Sequence, residues 1–198
     1  MSDEAQVGRP SVESRRQQIL DAACDRVRQS GFHGASMAEI AKAAGLSVGQ
    51  IYRYFENKEA IIAAIVAQDL AEMREKFAEL EREPGALLDA LEAHLPDGVE
   101  KCFDPKRGAL VLEVLAEAAR NPKVAAIVRE ADKQERALAQ SMLQRSRQPE
   151  WSDAEFEARG AVIGLVFDGI IMRAVNDPDL DREALTKVIR VVMRALLS

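Results

Sequence analysis

Cysteine, histidine, proline and glycine are all scarce in this chain of 198 residues, and each scarcity narrows what it can be. The two cysteines, Cys24 and Cys102, lie far apart and form no metal-ligand spacing. They read as free thiols in a reducing compartment. Two histidines with no neighbouring cysteine or carboxylate pair offer little to catalysis. The "EAH" at 92–94 is not the Glu-x-x-His of helical di-iron sites, and there is no phosphate loop or serine elbow. An enzyme and a bound cofactor are therefore not expected. Seven prolines and eleven glycines leave long runs of Ala, Leu, Glu, Arg and Val, a bias toward helix. No alternating apolar pattern bounded by turns indicates a strand. No stretch approaches the ~20 apolar residues of a membrane span, because Asp168 and Arg173 interrupt the most apolar run. "MSDEAQVGRP" carries no apolar signal core, so a cytoplasmic protein without a membrane partner is expected. A basic excess is missing too. The net charge is −6, residues 1–60 hold eight Lys/Arg against eight Asp/Glu, and residues 61–198 carry the whole deficit. Charge alone identifies no nucleic-acid binder.

What is present is a series of amphipathic helices. In "RRQQILDAACDRVRQ", residues 15–29, Ile19, Ala23 and Val27 recur every four residues and define one face. Gly31 and Gly34 stop that helix. Ser36 stands three before Glu39, a capping box in which each side chain satisfies an orphan backbone N–H of the other. Met37, Ile40, Ala41 and Ala44 give the second helix its inner face, and Gly45 ends it. Ser47 and Gln50 repeat the capping box, starting a helix that runs to Phe55. Asn57 caps a long helix with Ile62, Val66, Met73, Phe77 and Leu80 along one side. Pro84 is placed as the first residue of the next helix, which Pro96 breaks or kinks. Helices near 106–120, 122–147, 153–175 and 181–197 complete an all-α reading of about nine helices. The expected domains are 1–56 and 57–198, with no flexible linker and the long helix from Lys58 shared by both.

Two capped helices, about 37–43 and 48–54, joined by "AAGLS", form the helix-turn-helix pattern. A helix this short does not form alone in water, so packing must hold it. Ile51 and Phe55 face inward toward Ile40, Leu46, Ile19 and Val27. At 100° per residue, Gly49 and Arg53 then point outward, flanked by Gln50 and Tyr52. Such a face lies closely against a surface at Gly49 and hydrogen-bonds around it, which suits a DNA major groove. The capped helix start favours phosphate oxygens. Lys58 begins a helix where the dipole opposes it, which makes sense beside an anion. The competing reading is a solvated polar face on a helical adaptor that binds no DNA.

"QILDAA" and "GFHGASMAEIAKAAGLSVGQIYRYFENKEAI" resemble the DNA-binding domain of the tetracycline-repressor (TetR) family over about residues 15–65. "GRP" looks like the basic arm of many members. "LEVLAEAARNP" at 112–122 is similar to the ligand-binding domain of betaine-pathway regulators. The resemblance implies a homodimer, usually a repressor, on a near-palindromic operator, released by a small-molecule effector. By motif position Ser47, Gln50, Tyr52, Tyr54 and Lys58 would contact phosphates or bases. Gly49 would allow close approach, and Ser36 would cap the supporting helix beside the backbone. Arg15 and Arg16, or Arg9 in the arm, would add phosphate or minor-groove contacts. Val48 departs from the usual polar residue and either forgoes a phosphate or touches a thymine methyl. Arg53 pairs with guanine or only with phosphate. Arg26 and Val27 replace the usual large apolar pair.

In "GAVIGLVFDGIIMRAV", residues 160–175, apolar residues surround the helix, so every side needs a cover. Gly160 and Gly164 would let two helices come close. In the last helix Leu185, Val188, Val192 and Leu196 line one side, and Val191 and Ala195 another. These two helices suggest a four-helix dimer interface. A largely apolar effector would meet Phe77, Phe103, Leu110, Val114, Met142, Phe156, Phe167 and Met172, each of which also reads as plain core. Asp168 sits among apolar neighbours, either buried with a partner or at the dimer rim. His94 and Glu113 are further candidates, and Trp151 is read as capping a loop.

Overall fold

A computed structural model describes residues 11–198, which form nine α-helices and no strand among the described residues. The expected arm contact Arg9 lies outside the described residues. The helices are α1 (Val12–Gly34), α2 (Met37–Ala43), α3 (Val48–Ile51), α4 (Lys58–Arg82), α5 (Leu87–Cys102), α6 (Pro105–Ala118), α7 (Pro122–Leu143), α8 (Asp153–Asn176) and α9 (Arg182–Leu197). The chain divides into two compact units, one ending at Ile65 and one spanning Val66–Ser198. The sequence pattern puts the boundary at residue 56, whereas the first unit also takes in the first two turns of α4, where Ile61 and Ile62 are buried.

The first unit is built by local signals. Gly31 adopts φ 69° and turns the end of α1 out of helical geometry. Phe32 and Ala35 beyond that turn are buried. Both capping boxes form. The Glu39 amide donates to Ser36 Oγ at 3.2 Å and the Ser36 amide to Glu39 Oε2 at 2.8 Å. The amide of Gln50 donates to Ser47 Oγ at 3.3 Å and that of Ser47 to Gln50 Oε1 at 2.8 Å. Gly45, at φ 64°, ends α2. Its amide reaches the Lys42 carbonyl and the Leu46 amide reaches Ala41, the paired bonds of a Schellman cap. Ile19, Ala23, Val27, Ile40, Ile51 and Phe55 are all buried, so α3 survives by packing, as its length requires.

The second unit packs α5 against α8 and α9, and α6 and α7 against α8. Its core comprises Leu80, Leu87, Leu95, Val99, Phe103, Met142, Trp151, Phe156, Ile170, Ile189, Met193 and neighbours. Three details correct the sequence reading. Pro84 does not open a helix: with Gly85 at φ 99° it belongs to the bend before Ala86, the cap of α5. Pro96 is accommodated inside α5, which continues to Cys102. Trp151 is a core residue, with the Arg159 guanidinium stacked 4.1 Å from its ring. No helix among the described residues is long and apolar enough to cross a membrane.

Candidate nucleic-acid interface

The loop and helix around α3 sort their side chains cleanly. Ile51 and Phe55 point into the core, at 0% and 3% exposure. Ser47, Val48, Gly49, Gln50, Tyr52 and Arg53 are all exposed, and Tyr54 is half-buried. A Cβ built on Gly49 meets nothing within 4 Å, so the surface there is open to an incoming partner. Beyond Ile51 the chain tightens without unwinding. Arg53 and Tyr54 amides bond the carbonyls three residues back, and the Phe55 amide bonds Ile51 at 3.0 Å. The outward face therefore extends about one turn past α3 and carries a phenol, a guanidinium and a bare backbone patch. These groups suit base edges and phosphates.

Several expected DNA contacts have partners within the unit. Gln50 spends its carbonyl oxygen in the capping box, leaving its amide nitrogen for a ligand. Lys58 lies 4.2 Å from the centroid of the Phe32 ring and donates to the Phe32 carbonyl at 2.5 Å. A partner within the unit therefore already meets the charge that stands at the start of α4, where the dipole opposes it. Arg16 donates to the Tyr54 carbonyl at 2.8 Å and stacks 4.3 Å from the centroid of the Phe55 ring. Arg15 donates to Gln18 Oε1 at 2.7 Å on the surface of α1. Ser36 is occupied as a cap, and its amide, bonded to Glu39, holds that carboxyl below the usual range. Arg26 reaches Glu39 at 3.5 Å, which accounts for a polar residue at this place on α1. Sequence reasoning missed Gln18, whose Nε2 donates to the Ala44 carbonyl at 2.7 Å across 26 residues. No local pattern announces such a contact.

In the second unit the effector candidates do not form one group. Phe103, Met142 and Phe156 are core, with Phe77 and Phe167 packed against it. Leu110 and Val114 are half-buried on α6. Met172 is 59% exposed, so within one chain it lines no interior. Asp168 is on the exposed side of α8. Partial enclosure still pushes its carboxyl up, aided by Asp132. Enclosure and then Asp69, Asp168 and Asp132 raise Glu135, while Arg107 opposes them. Arg107 forms a two-pronged ion pair with Asp69. His94 hydrogen-bonds Glu83 at 2.5 Å and meets Lys76 at 3.3 Å, a bridge between α4 and α5. Glu113 is half-buried on α6. Burial pushes both thiols, Cys24 and Cys102, above the ordinary value.

The expected dimer residues also separate. Val162, Leu165, Met172 and Val175 on α8, with Val188 and Val191 on α9, are exposed apolar side chains. Gly164 faces open space. Gly160 does not: a Cβ there would stand in ordinary contact with Gln140 and Leu143 of α7, at 3.5 Å. Leu185 and Leu196 pack on the monomer core, and Val192 is half-buried. On α9 the large apolar residues left exposed are thus Val188 and Val191.

A capped helix-turn-helix with a polar outer face, followed by a separate helical unit, defines the class of a DNA-binding regulator. Residues 19–65 match the family model described as "Bacterial regulatory proteins, tetR family", and residues 82–198 match "Tetracyclin repressor-like, C-terminal domain". The chain belongs to the TetR family of bacterial transcriptional regulators. It is 36% identical over 118 residues to the HTH-type transcriptional regulator UidR of Escherichia coli K12. That alignment spans 58% of this chain and 57% of UidR, so the chain covers little more than half of that relative. GusR of Salmonella enterica is similar in structure, with a TM-score of 0.74, 26% identity, and 98% and 99% of the two chains covered. FadR of Bacillus subtilis, solved in complex with stearoyl-CoA, shares the fold, with a TM-score of 0.72, 22% identity, and 92% and 97% covered.

Proposed function

We propose that the chain is a cytoplasmic repressor that binds a near-palindromic operator as a homodimer and is released by a small molecule held in the second unit. The observation that carries the DNA half of this reading is the sorting around α3. Ile51 and Phe55 are buried while Gly49, Tyr52 and Arg53 stand exposed on one continuous face. In this reading Tyr52 and Arg53 meet base edges, and Gly49 permits the approach. Ser47, Gln50 and Tyr54 hold phosphates, and Val48, 46% exposed, packs on a thymine methyl.

The dimer half rests on the exposed apolar stripe of α8 and α9, which a second copy of the same stripe covers in a two-fold arrangement. Two reading faces then address successive major grooves about 34–36 Å apart. The effector half rests on the family's second domain, and FadR, a neighbour of the same fold, binds stearoyl-CoA. An effector that prefers a dimer with misplaced reading faces lowers operator affinity by its differential binding alone. A coupling of about 1–3 kcal/mol corresponds to roughly 5- to 150-fold. The continuous helix α4, which runs through both units, is the element on which that change would act.

Fragments selected from the source genome by the purified protein test the reading. Enriched fragments should share a palindrome, and binding should weaken steeply as salt rises, tracking the phosphates contacted. A helical adaptor would enrich no fragment.

A further inference from the structure

Helix α1 grips the backbone on both sides of the reading face. Ahead of it, Gln18 Nε2 donates to the carbonyl of Ala44, the residue that caps α2, at 2.7 Å. Behind it, Arg16 donates to the carbonyl of Tyr54 at 2.8 Å and covers the Phe55 ring. Both carbonyls lie at helix ends, where intrahelical partners run out. The two donors sit two residues apart on α1, and the two carbonyls enclose the whole stretch 45–53. Within that stretch only four residues are regular helix, held by one capping box and by single turns on either side. Packing at Ile51 and Phe55 fixes its depth but leaves rotation about the line joining them. Hydrogen bonds at the two flanking carbonyls remove that freedom. Arg15 in turn holds Gln18 by its Oε1 at 2.7 Å, which orients the amide so that its nitrogen faces Ala44.

We propose that Arg16 and Gln18 are positioning residues for sequence discrimination: they set the pose of Tyr52 and Arg53 through Ala44 and Tyr54, and do not act as DNA contacts. This rests on the DNA-binding reading above. It reassigns Arg16, whose charge and place near the start of the domain otherwise suggest a phosphate ligand.

Phosphate contacts add affinity to every sequence, whereas a pose acts only where base edges are read. The experiment uses the full-length protein, a duplex selected by wild type from a random pool, and an unselected random duplex. Dissociation constants are measured across salt for wild type, Gln18→Ala, Arg16→Gln and Arg16→Lys. Gln18→Ala places the best helix former on the exposed side of α1, so it keeps the unit folded. Arg16→Lys keeps the charge but loses the planar fork that stacks and donates together. Thermal melting accompanies every binding curve.

The expected result is a loss of about tenfold in affinity for the selected duplex for Gln18→Ala and for each Arg16 variant. Random-duplex affinity and the salt slope stay at wild-type values. Recovery of wild-type behaviour by Arg16→Lys would overturn the assignment. So would a slope shallower by about 0.9 for each phosphate no longer neutralised, with both duplexes weakened alike, or unchanged discrimination in Gln18→Ala. If wild type itself selects no sequence, the DNA-binding reading has failed, a result separate from any of these.

Discussion

The face around α3 and the face of α8 and α9 are both exposed in one chain, but different forces fix them. The first is polar, and its geometry is set within the unit by two caps, two buried anchors and the donors of α1. The second is apolar: Leu165 stands 67% exposed and Val191 66% exposed. A monomer keeps that apolar surface in water at a cost of about 25 cal/mol for each Å². A polar exposed face is complete as it stands and waits for a ligand it can leave. An apolar one is unfinished until it is covered. In the proposed function, the first face suits a reversible contact with DNA and the second a lasting contact with a second copy.

The comparison is broken most severely by removing the anchor beneath the reading face. Phe55→Ala deletes a ring buried to 3% exposure and stacked under Arg16. A loss of about 3–5 kcal/mol is expected, seen in denaturant unfolding as early melting of the first unit. Next comes the apolar face: Leu165→Glu combined with Val191→Glu should give a folded monomer by sedimentation. Operator affinity should fall by about 100-fold or more, because two linked half-sites become one. Tyr52→Ala sharpens the other side of the contrast. Its side chain is 51% exposed, so melting and dimerisation should stay as in wild type while operator affinity drops about 10- to 100-fold. A smaller effect is expected at the turn. A Cβ on Gly45 has room, so Gly45→Ala should cost only the left-handed backbone preference, about 1–2 kcal/mol in a thermal melt.

The smallest effect is an acid one. The carboxyl of Glu39 titrates below its usual 4.5 because it accepts from the Ser36 amide. A lowered value means that its contribution is present above the unfolded pKa and fades as pH falls through the folded one. Glu39→Gln should flatten that part of the stability profile below about pH 4.5.

The reading face was legible in the sequence because its determinants are local. Two capping boxes at spacing three, one glycine that ends α2 and two apolar residues at spacing four define it, and all are found as read. What was not legible depends on distant partners. Arg16 and Tyr54 are 38 residues apart, and Lys58 and Phe32 are 26 apart, so no local pattern announced the carbonyls that these two expected DNA contacts meet within the unit. Gly160 and Gly164 look alike in a run of apolar residues, yet α7 covers one and leaves the other open. Pro96 shows the converse, a helix breaker accommodated within α5. Met172 reads as core because its neighbours are apolar, but the helix turns it outward with Leu165.

The most direct measurement is protection of a genomically selected duplex by the full-length protein, compared between wild type and Tyr52→Ala. Wild type should protect a near-palindrome whose half-site centres lie about 10–10.5 base pairs, or a multiple of that, apart. Tyr52→Ala should lose the protection while remaining a dimer. Protection without two-fold symmetry, or an equal footprint from Tyr52→Ala, would contradict the account.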